Sequence, residues 1–187
     1  PTRRSSDLRR QVDLPFWRRR AERDGDALLA RVIEVSRRPE FYGEDKVPDT
    51  LEGRFELLAL NAGLAQRRLR AEEGAAPLAQ AFTDRLFSHL DAGLRESGVG
   101  DLAVPKRMRA LAGAFYGRLA AYSDALNAGD RQALAAALGR NVLGDEAAPY
   151  AGPLADHALG LAARQAALPV NTLAAQAAWA GFGNSVT

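Results

Sequence analysis

The stretch GVGDLAVPKRM, residues 98–108, places glycines and cations at spacings that could bind a phosphate group. Gly98, Gly100 and Ala103 fit the pattern G-x-G-x-x-A, and Lys106 follows them. Such a loop binds phosphate when a strand precedes it and a helix follows it. Here the preceding residues have a helical period, and a proline stands where a phosphate-binding loop requires glycine. The stretch therefore predicts a turn between two helices and argues against a nucleotide site.

Other residue types that carry out chemistry are scattered. The chain has no cysteine, which excludes disulfides and thiolate metal sites. His89 and His157 lie in different segments without metal-ligand spacing, and no G-x-S-x-G motif is present. Adjacent acidic residues, such as Glu72 and Glu73, are typical of solvated helix ends. We therefore predict no catalytic residue, no metal site and no cofactor.

Charge is uneven along the chain. Residues 1–20 carry seven arginines and two aspartates, although the net charge of the whole chain is only +2. We assign residues 1–23 to a basic N-terminal arm, and we exclude residues 1–8 (PTRRSSDL) from fold reasoning as an expected artefact of adapter sequence. Trp17 beside three arginines suits an anionic membrane surface or ribosomal RNA, and a disordered chain end is the simpler alternative. No apolar run reaches the roughly 20 residues of a membrane span.

Apolar spacing predicts an all-α fold of six or seven helices within a single domain, residues 24–187. The expected boundaries are about 24–38, 50–70, 77–97, 104–128, 130–143, 154–168 and 170–182. Asp49 and Asp130 are expected to cap the second and fifth helices, and Gly98 to end the third in a left-handed conformation. The third and fourth helices should be antiparallel neighbours because their connection is short.

The fourth predicted helix carries a row of small residues. Gly113 and Gly117 lie four residues apart, and three alanines extend the row. Each glycine costs a helix interior up to about 1 kcal/mol, so a packing reason is expected. The row either receives a neighbouring helix of the same domain or forms a groove for a partner's helix, with Tyr116 and Arg118 at its edges.

Two blocks of sequence resemble the ubiquinol–cytochrome c chaperone family. The first is GVGDLAVPKRMRALAGAFYGRLAAYSDAL, with the elements G-V-G-D-L, K-R-M and A-F-Y-G-R. The second is RRPEFYGEDKVPDTLEGRFELLALNAGLAQRRL, with the segment V-P-D-T-x-x-G-R-F-E. The resemblance covers residues 28–144 and continues more weakly to the C-terminus.

The resemblance implies an all-helical assembly factor of respiratory complex III that is not an enzyme and that acts on cytochrome b or another assembly protein. The family motifs fall on two groups of residues. Those expected to contact a partner are Arg54, Asp101, Lys106, Arg107, Tyr116 and Arg118. Those expected to shape the structure are Gly53, Phe55, Gly98, Gly100, Phe115 and Gly117, and Gly113 joins them from the row of small residues.

Two other classes of function stay open on the residues alone. One is an RNA- or ribosome-binding module that uses the basic arm, and the other binds a small molecule between its helices. DNA is not an expected partner, and the sequence leaves the oligomeric state undetermined. We expect a bacterial cytoplasmic protein that is peripheral at the inner membrane, or a mitochondrial matrix or inner-membrane protein if the host is eukaryotic.

Overall fold

The computed structural model describes residues 16–181, with side chains from residue 18 onward. Residues 1–15, which include most of the predicted basic arm, lie outside the described residues. Within the described range the chain forms one all-α domain, as the sequence predicts, and its only β contact is an isolated bridge between Tyr42 and Val47. The six α-helices are α1 (Phe16–Ser36), α2 (Leu51–Arg70), α3 (Ala76–Glu96), α4 (Val104–Ala128), α5 (Arg131–Leu138) and α6 (Ala151–Ala166).

Helix α1 begins eight residues earlier than the apolar spacing indicates. Residues 16–23, which the sequence analysis assigns to the basic arm, belong to this helix. The helix packs most extensively on α3, and Gly25 lies at their crossing. A β-carbon on Gly25 would lie 3.1 Å from the backbone nitrogen of Phe82, so the glycine allows the two backbones to approach closely.

Helix α2 lies at the centre of the domain and is buried along most of its length. Its N-cap is Thr50, whose Oγ1 accepts a hydrogen bond of 3.1 Å from the backbone N–H of Gly53. The prediction that Asp49 caps this helix is therefore wrong, because Thr50 has the extended cap conformation and Asp49 instead accepts a hydrogen bond from Arg54.

Helix α3 ends as predicted. The φ of Gly98 is +82°, and the N–H groups of Gly98 and Val99 donate to the carbonyls of Arg95 and Leu94 at 3.1 Å each. These paired hydrogen bonds form a Schellman motif, which satisfies two carbonyls that the helix end leaves free. Helices α3 and α4 are in contact beyond this turn, and the edge of the Phe87 ring meets the Phe115 ring at a centroid distance of 5.9 Å.

The C-terminal part departs from the predicted regularity. Asp130 caps α5 as expected, but α5 ends at Leu138 and a π-helical turn, Gly139–Leu143, follows it. The expected α-helix over 170–182 is wrong, since the segment forms two short 3₁₀ helices, Val170–Thr172 and Gln176–Trp179. The indole of Trp179 is 1% exposed and donates to the Leu173 carbonyl at 2.6 Å. Burial of this large ring outweighs the helix propensity of the surrounding alanines.

Candidate functional site

The two sequence blocks meet in the structure at one ion pair between α2 and α4. The guanidinium of Arg118 donates two parallel hydrogen bonds to the carboxylate of Glu56. It also donates to the Ala114 carbonyl at 3.2 Å and lies over the ring of Phe55, 5.8 Å from its centroid. The G-R-F-E segment and the A-F-Y-G-R segment are thus two halves of a single helix–helix junction.

Burial shapes the electrostatics of this junction. The side chain of Glu56 is 10% exposed and that of Arg118 is 21% exposed. Burial raises the pKa of Glu56 above its ordinary value, and the hydrogen bonds and charge of Arg118 oppose that rise. The pair is thus mainly structural, because either partner alone would be a poorly solvated charge.

Glu56 is the residue that sequence reasoning missed. Its signal was present, since an acid directly precedes Leu57 on a helix that is apolar over most of its circumference. A charged residue at such a position needs a charged partner. Its position in α2 does not indicate which of the many arginines supplies that partner.

The other predicted contact residues have two kinds of environment. Arg54 pairs with Asp49 at 2.6 Å, and Asp101 pairs with Arg95 at 2.5 Å, all on the surface. Lys106 and Arg107 are exposed in the first turn of α4, and neither belongs to an ion pair within the described residues.

Tyr116 is 42% exposed and belongs to a small aromatic cluster with Phe87 and Phe115. The centroids of its ring and the Phe115 ring are 5.3 Å apart. Phe115 is itself 2% exposed, which agrees with its predicted place in the core. The cluster therefore extends from the core to the surface, and Tyr116 is its outer member.

Gly113 and Gly117 lie on the exposed face of α4. Apart from its chain neighbours and the adjacent backbone of α4, a β-carbon at either position would have no atom within 4 Å among the described residues. The first interpretation, in which this row receives a neighbouring helix of the same domain, therefore finds no support in residues 18–181. The exposed residues of this face between Arg109 and Asp124 carry no charge.

Gly53 has the opposite environment to these two glycines. A β-carbon there would lie 2.0 Å from the carbonyl oxygen of Pro48, so the start of α2 accepts only glycine without moving the backbone. Gly100 has no positive φ and open space around it. Of the glycines in the two blocks, Gly53, Gly98 and Gly43, whose φ is +140°, are the ones whose local geometry requires this residue type.

An apolar groove of about 300 Å³ opens where α1, α2 and α3 meet. Polar residues, including Arg37, Arg54 and Glu96, lie at its edge. Leu51, on its wall, is 70% exposed. The apolar lining consists mainly of Ile33, Leu51, Phe55, Leu58, Leu90, Leu94 and Leu111.

The described residues contain no group of three or more histidine, aspartate or glutamate side chains that could hold a metal ion. Between residues 16 and 181, no helix has both the length and the apolar character that a membrane span requires. The geometry is that of an all-α domain, with an internal ion pair that joins two helices and with an open apolar groove beside it.

Comparison with known proteins agrees with this class. The family model described as ubiquinol–cytochrome C chaperone matches residues 44–181. The crystal structure of the Cbp3 homolog from Brucella abortus is 41% identical in sequence, covers 86% of this chain and 91% of its own, and superposes with a TM-score of 0.71. A comparison with curated protein sequences gives no match. The chain belongs to the ubiquinol–cytochrome c chaperone family, as the two sequence blocks indicate.

Proposed function

We propose that the protein is an assembly chaperone of respiratory complex III, that it binds cytochrome b or another assembly protein, and that it has no catalytic activity of its own. Membership of the chaperone family supports a role in complex III assembly. The exposed face of α4 is the observation that supports the binding mode, because its two glycines leave a smooth, uncharged surface that nothing in the described domain covers. An apolar helix approaches such a surface closely, as small residues allow between membrane helices.

The predicted contact residues form three groups in this proposal. Tyr116 and Arg54 contact the partner directly, because both are exposed beside apolar surface. Arg118 positions α4 against α2 through Glu56, and Asp101 fixes the turn before α4 through Arg95. Lys106 and Arg107 belong to the corner at the start of α4.

Deletion of the gene tests the proposed role in complex III assembly. We expect assembled complex III and cytochrome b to fall while unrelated respiratory complexes are retained, and a plasmid copy should restore both. Normal amounts of both in the deletion strain would contradict the proposal.

A bulky residue on α4 tests the binding mode. Gly117→Leu places a side chain in open space, so the domain should fold while capture of co-expressed cytochrome b falls. Gly160→Leu is the matched control, because Gly160 is also exposed in a helix, and a β-carbon added there would meet nothing within 4 Å among the described residues beyond the adjacent part of α6. Equal capture by the two variants would exclude the α4 face as the client surface.

The apolar groove supports a second candidate, a small-molecule binder. Its volume is at the lower end of that of known ligand sites. Native mass spectrometry of the purified protein tests this candidate. A ligand that binds the unaltered chain but not Leu90→Trp would favour it, because the added ring fills the groove.

A further inference from the structure

A leucine at the corner before α4 is almost completely open to water. Leu102 is 99% exposed and lies in the turn between the end of α3 and the start of α4. A single exposed apolar side chain is common on protein surfaces and carries no conclusion by itself. The position of Leu102 relative to its charged neighbours carries the argument.

Helical hydrogen bonding begins before α4 and fixes that position. The Gly100 carbonyl accepts from the N–H groups of Ala103 at 2.8 Å and Val104 at 3.3 Å, and Ala103 has right-handed helical dihedral angles. Leu102 is therefore in the turn that leads directly into α4. Residues four and seven positions further along a helix share a face, which puts Leu102, Lys106 and Arg109 in one row.

The cations of this row are not neutralised by the protein. Lys106 and Arg109 are exposed and belong to no ion pair within residues 18–181. No acidic residue occurs in α4 before Asp124. The acid nearest in sequence, Asp101, is paired with Arg95. The corner therefore attracts an anionic surface.

We propose that this corner docks on an anionic phospholipid bilayer, with Leu102 among the acyl chains and Lys106 and Arg109 at the lipid phosphates. In a bilayer interface the acyl chains lie directly below a layer of lipid phosphates. The corner has the matching arrangement, because its leucine projects into water and its cations lie beside it. A protein partner would need both a pocket for one projecting leucine and acids around it. The proposal concerns a lipid and therefore does not depend on the identity of the client.

The expected affinity is low and the binding reversible. Insertion of one leucine strengthens partition of the protein into the bilayer by about tenfold. Each cation near an anionic lipid surface strengthens it by about fivefold. Such binding would hold the protein at a membrane without a spanning helix, and it would weaken as salt concentration rises.

Vesicle co-sedimentation of the full chain tests the proposal. We expect binding to vesicles that mix phosphatidylglycerol with phosphatidylcholine, and little binding to phosphatidylcholine alone. The double variant Lys106→Glu, Arg109→Glu should lose more than tenfold in partition, and Leu102→Ser about tenfold. The matched control, Arg70→Glu with Arg164→Glu, makes the same change in net charge at exposed positions on α2 and α6 and should bind like the unaltered chain.

A fluorescent label tests insertion directly, because the chain has no cysteine of its own. A polarity-sensitive dye on Leu102→Cys should shift to the blue on anionic vesicles, whereas the dye on Ala163→Cys, exposed on α6, should not. An unshifted dye at Leu102 would overturn the proposal, and so would full vesicle binding by the Lys106→Glu, Arg109→Glu variant. If that variant binds vesicles normally but fails to support complex III in cells, the corner contacts a protein, and the proposed function stands without the lipid contact.

Discussion

The two faces of α4 have the same helical backbone and opposite environments. On the inner face Phe115, Leu119 and Tyr122 are buried in the core. On the outer face a β-carbon added to Gly113 or Gly117 would meet nothing of the described domain within 4 Å beyond the adjacent part of α4. The difference shows that a row of small residues in a sequence does not by itself report packing within the same chain.

The A-F-Y-G-R motif spans both of these faces. Phe115 and Arg118 point toward α2 and α3, while Tyr116 and Gly117 are exposed. One short motif therefore combines residues that hold the fold with residues that are free to bind. Substitutions within it should separate into losses of stability and losses of binding.

The largest expected effect is at the inner face. Arg118→Ala leaves the carboxylate of Glu56 without its partner, and we expect a loss of about 3 kcal/mol in the free energy of unfolding, measured by urea denaturation. Adding Glu56→Gln to this variant should restore part of the loss, because no buried charge then remains. Lys106→Ala on the outer face should change stability by less than about 0.5 kcal/mol. If Arg118→Ala and Lys106→Ala lowered the free energy of unfolding equally, the two faces would not differ in their contribution to stability.

Acid titration tests the burial of His157. Burial, with a smaller effect from Arg38, lowers the pKa of His157 from 6.5 to about 4. The unfolded chain therefore binds this proton more tightly, so stability is full above pH 6.5 and falls as the pH drops toward 4, by about 3 kcal/mol.

His157→Gln should flatten this part of the pH profile in urea denaturation. Ala163→Gln is the control, since it adds the same side chain at an exposed position of the same helix without removing a titratable group, and it should leave the profile in place. A profile that keeps its slope in His157→Gln would show that another group causes the acid loss.

The corner before α4 gives a comparison of two glycines within three residues. Gly98→Ala must place a β-carbon at a φ of +82° and should cost about 1–2 kcal/mol. Gly100→Ala has no positive φ and no close neighbour, so its thermal unfolding midpoint should stay near that of the unaltered chain. Equal midpoints for the two variants would show that the Schellman turn contributes little.

The smallest expected effect has the opposite sign. Gly113→Ala and Gly117→Ala should each stabilise the domain by up to about 1 kcal/mol, because alanine is the better helix former and has room at both positions. The same variants should weaken client capture if the outer face binds a helix. Loss of stability in calorimetry would mean that this face is covered within the chain.

Local rules predicted the fold class and many of the helix ends. The apolar period predicted the ends of α2, α3 and α4 to within one residue. Asp130 caps the start of α5 through its side chain, and Gly98 ends α3 through its positive φ. The failure near the C-terminus has a non-local cause, because Trp179 is buried in the core. The cap of α2 depends on a local detail that the residue pattern leaves open, since Thr50 and not Asp49 has the extended cap conformation and reaches the N–H of Gly53.

The amino-acid sequence by itself determined the helical class, the family and the turn at Gly98, because periodicity, motif order and backbone preference are properties of neighbouring residues. Only the tertiary structure decided that Arg118 is held by Glu56, that the glycine row faces outward and that Leu102 projects into water beside unpaired cations. Those facts depend on which helix faces meet. Several packings of the same amphipathic helices satisfy one apolar pattern, and the sum of contacts over the whole domain selects among them.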